Sequence, residues 1–171
     1  CWYTATSGIW QTVWLEGVGE FYLDSMRLTP DVDRRCLDTE FYLNQFSEGL
    51  TLELKAFYQN KLVKQLFAAV DGRIFKLSLS IREEDFIDEI HYWTPEAPNL
   101  YDLEISLSQK GEQTDHVKSY FGMRKISVSG NQILLNNRPY YQKLILDQGY
   151  WPESLMTPPD DLSLIHISEP T

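Results

Sequence analysis

Hydrophobic and polar residues alternate along most of the central part of the chain, a pattern typical of β-strands that bury one face. The stretches that follow this period of two are residues 37–43, 50–56, 62–70, 73–81, 100–107 and 116–126. Residues 60–69 could also be read as a helix, and no other segment has a convincing helical period. About seven short strands with turn signals between them predict an all-β fold, a sandwich of two sheets.

Two hairpins are predicted within this sandwich. Asp71-Gly72 separates two of the strands, and both residues tolerate positive φ, which predicts a tight turn there. The second hairpin pairs residues 100–107 with 116–126, with a turn within residues 109–115.

Two motifs lie on the second hairpin. The segment 93–101 reads Trp-Thr-Pro-Glu-Ala-Pro-Asn-Leu-Tyr, and its prolines keep the chain extended and deny it a helix. The segment 121–125 reads Phe-Gly-Met-Arg-Lys. Together they resemble the immunoglobulin-like β-sandwich domain of glycoside hydrolase family 2, the β-galactosidase/β-glucuronidase superfamily.

The resemblance extends to both sides of the sandwich. Residues 7–16 resemble the closing strands of the family's jelly-roll sugar-binding domain, and residues 132–139 resemble the hairpin that leads into its catalytic (β/α)8 barrel. Asn137 stands where family members usually carry Gly, and Asn tolerates the positive φ of such a turn. Residues 140–146 would then form the first barrel strand.

These likenesses imply flanking partial domains and four segments. Residues 1–20 are the end of the jelly-roll domain, 21–127 the immunoglobulin-like sandwich and 128–161 the start of the barrel. Residues 162–171 continue no earlier pattern and resemble a translated sequencing adapter, so we expect a non-native tail there. The chain is therefore interpreted as a fragment of a longer enzyme.

The family resemblance implies retaining hydrolysis of β-glycosides, which requires two carboxyl groups beside the scissile bond. In the family both are glutamates on later barrel strands, and no position here matches them. We therefore assign no catalytic residue, and we expect the fragment alone to be inactive. The acidic run of residues 83–89 is interpreted as a solvated surface.

The best candidates for substrate binding follow the predicted first barrel strand, on the face where barrel enzymes place their sites. They are Asp147, Gln148, Tyr150 and Trp151. Aromatic rings can stack on a sugar while polar side chains bond its hydroxyls. Composition alone favours packing of the two aromatic residues at the barrel mouth, and their place at the end of a first barrel strand reverses that preference.

Composition and residue spacing argue against several other functions. A net charge of −10 and a pI of about 4.7 argue against nucleic-acid binding, and no apolar run is long enough to span a membrane. His91 and His116 lack metal-ligand spacing, so we expect neither metal nor cofactor. Cys1 and Cys36 are favoured as thiols over a disulfide pair.

The expected partner is a carbohydrate substrate of the complete enzyme. Homo-oligomerisation stays open, and a bacterial cytoplasmic location fits weakly.

A second hypothesis comes from a different class of protein. A non-catalytic β-sandwich module that binds carbohydrate or spaces domains would share the same strands. Such a module should end near Ile126 or Val128 and continue into a linker. The sequence continues instead into a hairpin and the apolar run 144–146, which favours the barrel enzyme.

Overall fold

The computed structural model describes residues 7–9, 12–81, 90–144 and 151. The chain divides into two compact units, Gly17–Tyr140 and the combination of Cys1–Glu16 with Tyr141–Thr171. All strands of the described residues belong to Gly17–Tyr140. They are β1 (Leu23–Asp31), β2 (Cys36–Leu43), β3 (Leu50–Tyr58), β4 (Lys61–Ala69), β5 (Ile74–Ser80), β6 (Tyr101–Gln109), β7 (Glu112–Phe121), β8 (Ile126–Ser129), β9 (Gln132–Leu135) and β10 (Arg138–Pro139).

The predicted all-β sandwich is confirmed. One sheet has the order β1-β2-β5 and the other has the order β4-β3-β6-β7, and neighbouring strands are antiparallel in both. The edges of the two sheets meet where β1 contacts β7 and where β4 contacts β5. Strands β8, β9 and β10 form a third, small antiparallel sheet after the sandwich.

The core lies between the two large sheets and is built by the alternation seen in the sequence. Alternate residues of β2, of β3 up to Ala56 and of β6 up to Leu107 point inward and are at most 3% exposed; these residues are Leu37, Thr39, Phe41, Leu43, Leu50, Leu52, Leu54, Ala56, Tyr101, Leu103, Ile105 and Leu107. Each large apolar side chain buried there contributes about 1.5–3 kcal/mol. Thr39 is the polar exception, and its hydroxyl donates to the carbonyl of Leu77 at 3.1 Å.

Two tight turns set the register of the four-stranded sheet. Gln59 and Asn60, between β3 and β4, have φ of 48° and 65°, and Lys110 and Gly111, between β6 and β7, have φ of 51° and 89°. Positive φ at both central residues is typical of a type I′ turn, whose twist matches that of paired strands. The predicted hairpin of β6 and β7 is therefore confirmed, with a shorter turn than expected.

The hairpin predicted at Asp71-Gly72 is wrong. Strand β4 pairs with β3, whereas β5 pairs with β2 in the opposite sheet. Neither Asp71 nor Gly72 has a positive φ, so the segment is a crossover between sheets. Val70 anchors its start, because its amide donates to Leu50 at 2.9 Å and its side chain is 6% exposed. The turn preference of Asp-Gly does not decide the connection here, because β4 and β5 bury their apolar faces in opposite sheets of the same core.

Residues 12–19 and 140–144 contain no strand. The segments expected as jelly-roll and first barrel strands, 7–16 and 140–146, also include residues 10–11 and 145–146, which lie outside the described ranges, so both domain assignments stay predictions. A jelly-roll or barrel strand is held by hydrogen bonds to neighbouring strands, and the described residues supply no such neighbour at either place.

The segment that enters β1 is held by polar side chains. The amide of Leu23 donates to Asp115 Oδ2 at 2.8 Å, and that of Tyr22 donates to Asn44 Oδ1 at 3.0 Å. The side-chain amide of Asn44 in turn donates to the carbonyl of Glu20 at 2.9 Å. The entry to the sandwich is therefore fixed in position before the first strand begins.

Two other expectations concern the described residues. Cys36 is a buried free thiol, as favoured by the sequence. No helix of the described ranges is long and apolar enough to cross a membrane.

Gly19 packs so closely on β7 that a side chain should not fit. A Cβ atom there would lie 2.6 Å from the carbonyl oxygen of Thr114, whereas one at Gly17 would meet nothing within 4 Å. We expect Gly19→Ala to lower the free energy of unfolding by about 1–3 kcal/mol through overpacking. Gly17→Ala, the matched control, should change it by less than about 0.5 kcal/mol. Urea denaturation measures the free energy of unfolding of both variants. Equal losses would contradict the close contact between Gly19 and Thr114.

Candidate functional site

The proline-containing segment 93–101 forms a compact loop at one end of the sandwich. Thr94 and Ala97 exchange backbone hydrogen bonds of 2.9 and 3.2 Å, and Trp93 bridges to Pro98. The amide of Trp93 donates to the carbonyl of Met123 at 3.1 Å. The two sequence motifs are therefore in direct contact.

Trp93 is held between two residues of the second motif. A Cβ atom on Gly122 would lie 3.2 Å from Trp93 Cβ, so glycine allows the close approach. The guanidinium of Arg124 lies over the indole, 4.8 Å from the ring centroid, a cation–π contact. The glycine and arginine of this motif thus have a packing role.

Asn136 joins this loop to the small sheet. Its side-chain oxygen accepts from the amide of Lys125 at 3.0 Å, and its side-chain nitrogen donates to the carbonyl of Trp93 at 3.0 Å. Its own backbone amide donates to the carbonyl of Lys125 at 2.8 Å. Asn136 and Asn137 have φ of 51° and 65°, which places both in the left-handed region that Asn tolerates.

A cleft of about 620 Å³ opens between the turn after β1, the proline loop and the turn between β9 and β10. We call it the loop cleft. Its lining residues are Val32, Asp33, Arg35, Tyr92, Thr94, Glu96 and residues 135–140. This composition offers amide, hydroxyl and guanidinium donors together with two carboxylates.

Both carboxylates of the loop cleft have partners. Asp33 accepts from Lys125 Nζ at 2.5 Å and from the Asn137 amide at 2.8 Å, and these contacts hold the pKa of Asp33 below its ordinary value. The hydroxyl of Tyr140 donates to Glu96 Oε1 at 3.0 Å, which raises the pKa of Tyr140. The cleft is thus a polar junction in which Asp33 is paired with Lys125 and Glu96 accepts a hydrogen bond from Tyr140.

Comparison with known proteins identifies the family. The sequence profile described as "Glycosyl hydrolases family 2" matches residues 21–124. The chain belongs to glycosyl hydrolase family 2. The matched residues contain β1 to β7, the whole first motif and residues 121–124 of the second motif.

Solved structures agree with this fold. The β-glucuronidase from Ruminococcus gnavus in complex with N1-substituted uronic isofagomine matches with a TM-score of 0.52 and 17% identity. The match covers 73% of this chain and 20% of that chain, and the apo form of the same enzyme gives the same values. The chain thus spans about a fifth of the length of these structures. No curated protein matches the chain.

Glycosidases of the retaining type need a general acid, a carboxyl group whose pKa is raised. In the described part of this family 2 chain, every carboxyl group with a displaced pKa is displaced downward; these groups are Asp31, Asp33, Glu40 and Glu53. In each case hydrogen bonds to the charged form are the largest cause. The described residues also contain no cluster of ligands suited to a metal ion.

The predicted substrate-binding residues are mostly not described. Asp147, Gln148 and Tyr150 lie outside the described residues, as does the acidic run 83–89. Trp151 is described and half-buried, in the unit that combines the two ends of the chain. The loop cleft was missed by sequence reasoning, because Asn136-Asn137 was read only as a turn and its partners lie 11 to 104 residues away.

We expect the side chain of Asn136, and not that of Asn137, to stabilise the junction. Glycine relieves positive φ at either position, so the two substitutions isolate the hydrogen bonds that each side chain makes. Asn136→Gly removes two half-buried bonds to backbone groups and should cost about 1–3 kcal/mol. Asn137→Gly removes one exposed bond to Asp33 and should cost less than about 0.5 kcal/mol. Urea denaturation compares them, and a larger loss for Asn137→Gly would contradict the assignment.

Proposed function

We propose that this chain is part of a retaining glycosidase that hydrolyses O-glycosidic bonds of β-glycosides. In this proposal it supplies the supporting β-sandwich and not the catalytic glutamates. The observation that carries the proposal is the family 2 match over residues 21–124, which coincides with the two-sheet sandwich. The lowered pKa values of Asp33 and Glu40 support this part of the proposal, because neither group is suited to protonate a leaving group.

The proposed domain arrangement places this sandwich between two partial domains. Residues 1–20 end a jelly-roll domain, 21–127 form the sandwich, 128–161 begin the catalytic barrel, and 162–171 are a non-native tail. The junction at Asn136 supports this arrangement, since it holds the chain firmly where the sandwich gives way to the following segment. The substrate of the complete enzyme is a carbohydrate.

The purified chain should show no turnover of aryl β-glucosides, β-galactosides, β-glucuronides or β-mannosides, because no catalytic carboxyl pair is assigned to it. The product of the full-length gene, read from source DNA through residue 161, should hydrolyse at least one of them. Release of the aryl group measures the hydrolytic activity of both proteins.

A matched preparation from cells that carry an empty vector controls for host glycosidases. Turnover by the purified chain above that background would show that it contains its own catalytic pair. An inactive full-length product whose later sequence lacks two glutamates on barrel strands would overturn the glycosidase proposal itself.

We further propose that Asp147, Gln148, Tyr150 and Trp151 form part of a sugar subsite in the complete enzyme. Replacing Trp151 with Ala in the full-length protein should raise KM by about three- to tenfold, the loss of one aromatic stacking contact. Trp14→Ala is the control, since Trp14 is 68% exposed. An unchanged KM for Trp151→Ala would contradict the assignment of Trp151 to the sugar subsite and would indicate a packing role instead.

A further inference from the structure

The outer face of the three-stranded sheet presents ordered rows of polar side chains. The antiparallel register places Arg27 opposite Glu40 and Glu40 opposite Lys76. The next row consists of Thr29, Asp38 and Ser78, and the row on the other side consists of Ser25, Tyr42 and Ile74. Neighbouring strands lie about 4.8 Å apart, so each row spaces its groups at nearly regular intervals.

These rows line a shallow depression of about 470 Å³. The depression is bordered by Arg27, Thr29, Asp38, Thr39, Glu40, Lys76, Leu77 and Ser78. Arg27, Thr29, Lys76 and Ser78 are exposed, whereas Asp38 and Glu40 on the central strand are half-buried. Cationic and hydroxyl groups therefore flank a central line of carboxylates.

One central carboxylate, that of Glu40, is held in the ionised form. Lys76 Nζ lies 3.1 Å from Glu40 Oε1, and the hydroxyl of Tyr42 also donates to Glu40. Together they lower the pKa of Glu40. Asp38 pairs with the guanidinium of Arg34. Strong acceptors and strong donors thus alternate across the face at neutral pH.

This alternation selects a class of ligand. An anion would be repelled by Asp38 and Glu40, and a cation would be repelled by Arg27 and Lys76. A hydroxyl group can donate to a carboxylate and accept from an ammonium or guanidinium group at the same time. A neutral molecule with many hydroxyl groups therefore satisfies both kinds of partner, and Tyr42 and Ile74 offer apolar surface beside it.

We propose that the outer face of β1, β2 and β5 binds a neutral oligosaccharide through Arg27, Glu40, Lys76 and their neighbours in the register. The inference goes beyond the proposed function and does not depend on it, since it requires neither the catalytic barrel nor its glutamates. The depression is shallow, so we expect affinity in the millimolar range.

The test is an NMR titration of the isotope-labelled full chain with cellotetraose, mannotetraose and xylotetraose, each neutral, and with anionic tetragalacturonate. At least one neutral probe should shift backbone amides of β1, β2 and β5 and leave those of β4 and β7 unchanged. Tetragalacturonate should bind more weakly than that probe, because of Asp38 and Glu40.

The chain offers a closely matched pair of control variants. Lys76 lies 3.1 Å from Glu40 with its side chain 70% exposed, and Lys118, on the other sheet, lies 3.1 Å from Glu104 with its side chain 72% exposed. Lys76→Ala should weaken binding on the order of tenfold, the loss of one charge-assisted hydrogen bond. Lys118→Ala should leave binding unchanged, and neither exposed change should unfold the protein.

Three results would overturn the proposal. The first is that no neutral probe shifts the amides of the face at millimolar concentration. The second is that the Lys76→Ala and Lys118→Ala variants bind the probe equally well. Equal or tighter binding of tetragalacturonate would identify the face as a site for anions instead. The titration does not measure the activity of the full-length enzyme. Failure of the binding proposal can therefore be distinguished from failure of the glycosidase proposal.

Discussion

The hydrogen bonds of Asn136 connect three parts of the chain that are distant in sequence. Its side chain joins the carbonyl of Trp93 to the amide of Lys125, both about 3.0 Å away, while its backbone begins the last turn of the small sheet. Trp93 is itself fixed by the close approach of Gly122 and the guanidinium of Arg124. Because each of these contacts restrains the same loop, the end of the sandwich and the small sheet form one structural junction.

This junction gives Trp93, Gly122 and Arg124 of the two motifs a structural role. The polar atoms of Asn136 and the carboxylate of Asp33 are each hydrogen-bonded to partners within the protein. Ion pairs and hydrogen bonds that lower the pKa of Asp33 favour its charged form, the opposite of what a general acid requires. The arrangement holds the proline loop and the small sheet in a fixed relation.

Most of the strands and the β6–β7 hairpin could be predicted from the sequence, but the connection from β4 to β5 could not. The alternation of Leu50, Leu52 and Leu54 is a property of one strand, since each second side chain enters the core. Whether Asp71-Gly72 turns the chain back or carries it to the other sheet depends on which partner strand each side pairs with. Gln59-Asn60 has weaker turn residues and forms the tighter turn, because β3 and β4 lie in the same sheet.

The polar outer face of β1, β2 and β5 also depends on strand pairing that the sequence does not predict. Arg27, Glu40 and Lys76 are read from the sequence as ordinary solvent-facing residues of three separate strands, and nothing in their spacing of 13 and 36 residues relates them. Only the pairing of β1 with β2 and of β2 with β5 places them in one row. A binding surface made of cross-strand neighbours is therefore a property of register, and register is set by the core on the opposite face of the same strands.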